Sequence, residues 1–216
     1  LTRSGAFNRR SVQRFRNVMF GRVKNPRRFD DSVKPRFLAT VMIDTSGSMS
    51  GEKLRQAMML LVFYNELFSR ISSEYGYIRY ANYTFADSVK EIKTFDQDYD
   101  SPTRYKHSDG STSTIKVRLM QAIQASGGTN MLDGVRRAGA DLNKQVADYP
   151  DFLSALYFIG DGDDTCGNSQ KIKAYLQNSD SERGGFGEHL LSAIMLGSDD
   201  LRATLAAIFG DEATSV

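Results

Sequence analysis

The chain alternates between two hydrophobic periods. Phe37 to Ile43 is a nearly continuous apolar run that stops at Asp44, and such a run reads as a strand covered on both faces. From Leu54 the apolar positions shift to helical spacing. Leu54, Ala57, Met58, Leu61, Phe68 and Ile71 share one face, and Leu60, Val62, Phe63 and Tyr64 widen it. Much of this helix is expected to be buried, with Met58, Met59 and Phe63 in the core. Tyr77 to Phe85 is rich in β-favouring residues and Ser88 to Phe95 follows closely, which predicts an antiparallel pair at one edge of a sheet. Residues 96–114 are polar and turn-rich and read as a surface loop that helps choose a partner. Residues 115–125 are amphipathic, with Gly127-Gly128 as the stop, and a further helix runs from Met131 to Val146. Phe152 to Ile159 is a second apolar strand, ending at Gly160-Asp161. Ser169 to Leu176 reads as a helix, 179–187 as a loop and Leu190 to Leu196 as a third apolar strand. Asp199 is placed to cap a last helix, Leu201 to Phe209.

The order β-α-β-β-α-α-β-α-β-α predicts an α/β fold. It has three layers, α/β/α, with helices on both faces of a mostly parallel central sheet and one antiparallel edge strand. In such sheets ligands bind beyond the carboxyl ends of the strands. Two of the three most apolar strands deliver an aspartate there, Asp44 and Asp161.

Composition narrows the class. Of 216 residues 40 % are apolar, with 13 Phe and 10 Tyr, enough for a real core and too many for global disorder. No apolar stretch reaches the ~18 residues of a membrane-spanning helix. No basic-then-apolar leader opens the chain, and Leu1 in place of Met reads as a piece of a longer protein. A lone cysteine, Cys166, excludes an internal disulfide and fits a reducing, cytoplasmic setting.

Charge changes the picture more. The net charge is +2, yet residues 1–36 carry 11 Lys or Arg against two Asp. Residues 1–35 therefore read as a basic N-terminal arm or linker ahead of an acidic domain, 36–216. Phe7, Phe15, Val18, Met19, Phe20 and Phe29 give the arm apolar anchors. Docking on its own acidic body is favoured over nucleic acid, because no RNA-binding signature accompanies the basic residues.

The candidate chemistry sits in three separated loops. Asp44-Thr45-Ser46-Gly47-Ser48 places a carboxylate and two hydroxyls at alternate positions after a strand. Gly127-Gly128-Thr129-Asn130 is a glycine turn presenting a hydroxyl, and Gly160-Asp161-Gly162-Asp163-Asp164 presents another carboxylate. Two carboxylates and three hydroxyls, without sulfur or imidazole, suit a hard divalent cation. Mg²⁺ fits best, with Mn²⁺ or Ca²⁺ as alternatives. The neutral hydroxyls leave such an ion electrophilic enough to accept a carboxylate from outside.

Asp44-Thr45-Ser46-Gly47-Ser48, Thr129 in its Gly-Gly-Thr turn and Asp161 in Asp-Gly resemble the metal-ion-dependent adhesion site (MIDAS) of von Willebrand factor type A (vWA) domains. The resemblance covers about residues 36–210 and agrees in element order. It implies that Ser46, Ser48 and Thr129 bind the metal by hydroxyl, and that Asp44 and Asp161 act directly or through water. It also implies a protein-binding module with no catalytic residues, whose metal takes an Asp or Glu of a protein partner. Met49, Asn130, Asp163 and Asp164 would form the partner-binding rim. The basic arm and single cysteine are closer to intracellular bacterial members, which often work as adaptors beside MoxR-type AAA+ ATPases. Gly160 departs from the pattern, in which a Thr or Ser precedes the Asp-Gly, and bears on the residues behind the ligands. No oligomeric state follows from the sequence.

Two other readings compete. Phe158 to Asp164 also resembles the Mg²⁺ loop of haloacid-dehalogenase-like phosphatases, with Asp44 as nucleophile. In that reading Ser46 stands where a general-acid Asp belongs, and Ser48 and Thr129 go unexplained. The other is a scaffold that binds without metal, in which Ser46, Ser48 and Asp161 merely cap helices and turns. Cys166 reads as an exposed thiol and His107 as a solvated loop histidine. His189 has no Ser or Cys nearby in sequence arranged as a triad.

Overall fold

The structure is a computed structural model. It describes residues 36–74, 77–97, 102–106, 112–114, 117, 119, 123–162, 165–181, 184–197 and 213–215. The basic arm, His107, Asp163, Asp164, Asp199, the expected helix 201–209 and most of the expected helix 115–125 lie outside them. Residues Arg36–Val216 form one compact unit.

β1 (Arg36–Asp44) is the centre of the sheet, and every residue after Arg36 is buried. It pairs in parallel with β2 (Tyr77–Phe85) on one side and with β6 (Leu153–Gly160) on the other. β7 (Leu190–Met195) extends the sheet in parallel beyond β6, and β8 (Ala213–Ser215) beyond β7. β3 (Val89–Lys93) closes the opposite edge antiparallel to β2. The strand order is β3-β2-β1-β6-β7-β8. The chain leaves β1 toward β2 on one side and returns to β6 on the other, so the space beyond Asp44 is the topological switch point of the sheet.

Residues alternate between the two faces with the two-residue period of a strand. α1 (Glu52–Glu74) covers one face. Its Ala57, Leu61, Phe68 and Ile71 are buried, and Phe68 meets the rings of Phe37, Tyr80 and Tyr157 at 5.5–6.4 Å between centroids. A buried amide pair crosses the same interface. Asn82 Nδ2 donates to Asn65 Oδ1 at 2.8 Å, and Asn65 Nδ2 donates to the Leu61 carbonyl at 2.8 Å. α2 (Met131–Asp148) and α3 (Ser169–Gln177) cover the other face. There Leu38, Met42, Tyr83, Phe85, Leu156 and Phe158 pack with Met131, Val135, Leu142 and Ile172. Lys93, on the edge strand β3, is buried. Its Nζ donates to the carbonyls of Tyr80 and Thr94 and lies 3.7 Å from the Tyr80 ring centre. An inward-turned charge discourages further strand pairing at an edge.

The α/β/α layering, the mostly parallel sheet and the antiparallel edge agree with the sequence expectation. Four local expectations need correction. The polar stretch 96–114 is not all loop, because β4 (Pro102–Lys106) and β5 (Thr112–Thr114) pair antiparallel as a small separate sheet. The helix expected to reach Ala125 has ended before Ile123. β8 adds a strand that the pattern did not indicate. On α1, Met59 and Phe63 are 63 % and 58 % exposed rather than core, because the helix rests on the sheet through the face that carries Ala57, Leu61, Asn65, Phe68 and Ile71. Among the described residues no helix is long and apolar enough to cross a membrane.

Candidate functional site

Strand ends set the site. β1 delivers Asp44 and β6 delivers Asp161 at the carboxyl end of the parallel sheet, and both are fully buried. The chain turns sharply after Asp44, where Ser46 N–H donates to Asp44 Oδ1 at 2.8 Å. A short 3-10 turn, Gly47–Met49, follows. It brings Ser48 Oγ to 3.0 Å from Ser46 Oγ. Ser46 is buried while Ser48 is exposed, so the two hydroxyls step from the interior to the surface.

The glycine turn is tied to this loop through backbone bonds. Gly47 N–H donates to the Gly127 carbonyl at 3.0 Å, and Ser126 N–H donates to the Thr45 carbonyl at 2.9 Å. Gly127 has φ +78°, and a Cβ there would stand 2.1 Å from Asp87 Oδ2. The positive φ strains any side chain here, and a Cβ would also push the exposed Asp87 carboxylate off this turn. Asp87 Oδ1 also accepts from Gly128 N–H at 2.8 Å, and Thr165 Oγ1 accepts from Thr129 N–H at 2.8 Å. These bonds fix Thr129, which is buried. Its Oγ1 has no hydrogen-bond partner among the described residues. A buried hydroxyl without a partner costs about 1–3 kcal/mol, and such a group marks a place where a ligand or ion would supply the missing contact.

The third loop lies against the first. A Cβ at Gly160 would stand 3.0 Å from Asp44 Cβ and from two ring carbons of Phe158. The glycine that departs from the expected Thr or Ser therefore lets β6 pass close behind Asp44. Leu196 N–H donates to the Gly160 carbonyl at 2.9 Å and joins the end of β7 to the same loop. Lys53, from the first turn of α1, reaches Asp161 Oδ2 at 2.9 Å.

Asp44, Ser46, Ser48, Thr129 and Asp161 thus come from three loops that bond to or press on one another. Among the described residues no three His, Cys, Asp or Glu side chains gather in a metal-holding group. What the three loops carry is a set of oxygen donors, two carboxylates and three hydroxyls, of which Ser46 Oγ and Ser48 Oγ are in contact. It matches a hard divalent cation in chemistry, and the orphaned Thr129 hydroxyl is one donor in search of a partner.

The four residues expected at the rim differ in their placement. Met49 is 0 % exposed and belongs to the core, because the 3-10 turn directs it inward while Ser48 faces out. That expectation is corrected. Asn130 is half-buried and occupied as the N-cap of α2. Its side chain accepts from Asp133 N–H and donates to Asp133 Oδ2 at 2.7 Å. Asp163 and Asp164 are outside the described residues. Lys53, Asp87 and Thr165 escaped the sequence reading. The only available signals were a lysine in the first turn after the hydroxyl loop, and an aspartate two residues past a strand end.

A second polar chain lies elsewhere. His189 Nδ1 is 2.7 Å from Ser154 Oγ, and His189 Nε2 is 2.7 Å from Asn143 Oδ1. No Ser or Cys set like a triad was expected beside His189; the fold brings Ser154 to it across 35 residues of sequence. Asn143 Nδ2 donates to the Gly185 carbonyl, which fixes its oxygen as acceptor from Nε2–H and leaves Nδ1 to accept from Ser154. Burial lowers the His189 pKa to about 4, so the ring is neutral at pH 7 and ties α2, β6 and β7 together.

No protein-family model and no curated protein matches the chain. Among solved structures it is similar to the SpRpn10 VWA domain, at a TM-score of 0.56 and 12 % identity, over 84 % of this chain and 88 % of that one. It is also similar to the PilB minor pilin from Streptococcus sanguinis, at a TM-score of 0.53 and 16 % identity, over 87 % of this chain and 58 % of that one. At such identities the likeness is one of fold, and the fold of this chain is vWA-like.

Proposed function

We propose that this vWA-fold chain is a divalent-metal-dependent protein-binding module. Its metal would be held by Ser46, Ser48 and Thr129 through hydroxyls, and by Asp44 and Asp161 directly or through water. Mg²⁺ is the favoured ion, with Mn²⁺ and Ca²⁺ as alternatives. The observation that carries the reading is the meeting of the three loops that bear these residues beyond Asp44, with the buried Thr129 hydroxyl lacking a hydrogen-bond partner among the described residues.

When bound, the ion would supply a Lewis-acid position open to a carboxylate of the partner. The chain's own contribution is to position donors and limit their charge. Two carboxylates balance a doubly charged ion, and the neutral hydroxyls leave it able to accept a partner Asp or Glu. Ser46 N–H holds one oxygen of Asp44, and the Asp87 and Thr165 bonds hold the Thr129 turn. The module is read as non-enzymatic and cytoplasmic, and as an adaptor in an AAA+ ATPase system.

Calorimetry with Mg²⁺, Mn²⁺ and Ca²⁺ tests the metal. Capture of acidic peptides in Mg²⁺ and in EDTA tests the partner chemistry. Peptide binding that is equal in Mg²⁺ and EDTA would transfer the reading to a metal-independent scaffold. Release of phosphate from a generic ester, lost in Asp44→Asn, would transfer it to a phosphatase.

A further inference from the structure

Asp161 faces a cation supplied by the chain itself. Lys53 Nζ sits 2.9 Å from Asp161 Oδ2, and the two side chains are 33 % and 0 % exposed. The asymmetry matters. The carboxylate is fixed inside the protein, while the ammonium stands on a flexible stem at the surface and can return to water. The stem has a lane of its own: a Cβ at Gly197 would stand 3.3 Å from Lys53 Cε and 3.6 Å from Lys53 Nζ. Gly197 has φ +141°, a conformation that an L side chain rarely adopts. The first turn of α1, the end of β6 and the end of β7 together shape this position.

A buried carboxylate needs a compensating charge. A lysine ammonium and a divalent ion on one carboxylate repel, so each weakens the other there. We propose that Lys53 is a tethered stand-in cation: it neutralises Asp161 in the absence of a divalent ion and must leave that carboxylate when the ion enters. The proposal rests on the metal-binding reading above and adds to it the residue that sets the ion's apparent affinity and moves on loading. Apparent affinity falls by the fraction of molecules whose site is competent. A lysine in place nine-tenths of the time lowers it about tenfold.

The test uses the full 216-residue chain. Calorimetry with Mg²⁺ compares wild type, Lys53→Met, which keeps much of the stem, and Arg55→Gln. Arg55 lies on the same helix turn, paired with Glu52 at 2.8 Å, and its loss reports the general effect of removing one positive charge. In parallel, acetic anhydride labelling of Lys53 in the wild type is followed by mass spectrometry in EDTA and in saturating Mg²⁺. The expected results are Mg²⁺ binding about tenfold tighter in Lys53→Met, a smaller change in Arg55→Gln, and faster labelling of Lys53 in Mg²⁺. Equal gains in the two variants, or labelling indifferent to Mg²⁺ in a wild type that binds it, would overturn the role of Lys53 and leave the metal reading standing. Absence of Mg²⁺ binding in wild type and Lys53→Met alike would overturn both. If Lys53→Met does not fold, the labelling decides alone.

Discussion

Ser48 carries the sharpest consequence at the scale of single residues. Its hydroxyl is exposed and touches Ser46 Oγ, so the fold depends on it little. Ser48→Ala is expected to change stability by less than about 0.5 kcal/mol while weakening divalent-ion binding at least tenfold, read by calorimetry. Unchanged affinity would remove Ser48 from the donor set. Gly127 is the opposite case. Gly127→Ala places an L residue at φ +78° and displaces the Asp87 carboxylate, which accepts from Gly128 N–H. It should destabilise by about 1–3 kcal/mol and, because it moves the Thr129 turn, lower ion binding as well. Thermal melts and calorimetry on the one variant check both. His189 gives a pH signature. Its folded pKa is lowered to about 4 by burial, below an ordinary value of ~6.5. The unfolded chain therefore binds more protons between those values, and stability falls as pH drops through that window. The loss at pH 4 amounts to as much as about 3 kcal/mol. Urea titrations at pH 7 and pH 4.5 should show it, and His189→Gln should flatten it.

Elements differ in how much of them the sequence discloses. β1 and β6 were legible because parallel strands buried on both faces need nearly unbroken apolar runs, and Phe37–Ile43 and Phe152–Ile159 are such runs. Their aspartates were legible with them. β4, β5 and β8 were not, because short strands such as Thr112–Thr114 and Ala213–Ser215 carry no periodicity of their own and depend on a neighbouring strand. On α1 the hydrophobic count misled. Met59 and Phe63 are apolar yet exposed, whereas polar Asn65 is buried against Asn82. Helical spacing identifies a stripe, and only packing shows where the stripe ends. Phe68 anchors that stripe among Phe37, Tyr64, Tyr80 and Tyr157. Phe68→Ala is expected to cost about 3–5 kcal/mol, against less than about 1 kcal/mol for Phe63→Ala on the exposed side. Denaturant melts of the pair measure the difference. Lys53, Asp87 and Thr165 act across 108, 41 and 36 residues of sequence respectively, a separation at which no local pattern exists.

At the scale of the whole molecule, one topological fact organises the site. β1 sits between β2 and β6, and the chain's change of direction there opens a crevice at the carboxyl ends of the strands, by Asp44 and Asp161. The sheet supplies rigidity, and the loops supply oxygens, two of them on fully buried carboxylates. A divalent ion bound there would join three loops and raise the stability of the whole unit by mass action. At ~100 times its dissociation constant it adds about 2.7 kcal/mol. For a chain of this size that is a rise in melting temperature of roughly 5–10 °C.

That rise is the most direct measurement of the account. The purified chain is melted in EDTA and then in Mg²⁺, Mn²⁺ and Ca²⁺, with Asp44→Asn alongside. The wild type is expected to melt at a higher temperature with at least one cation, and Asp44→Asn is expected not to shift. A wild type that melts at the same temperature in EDTA and in all three cations would contradict it.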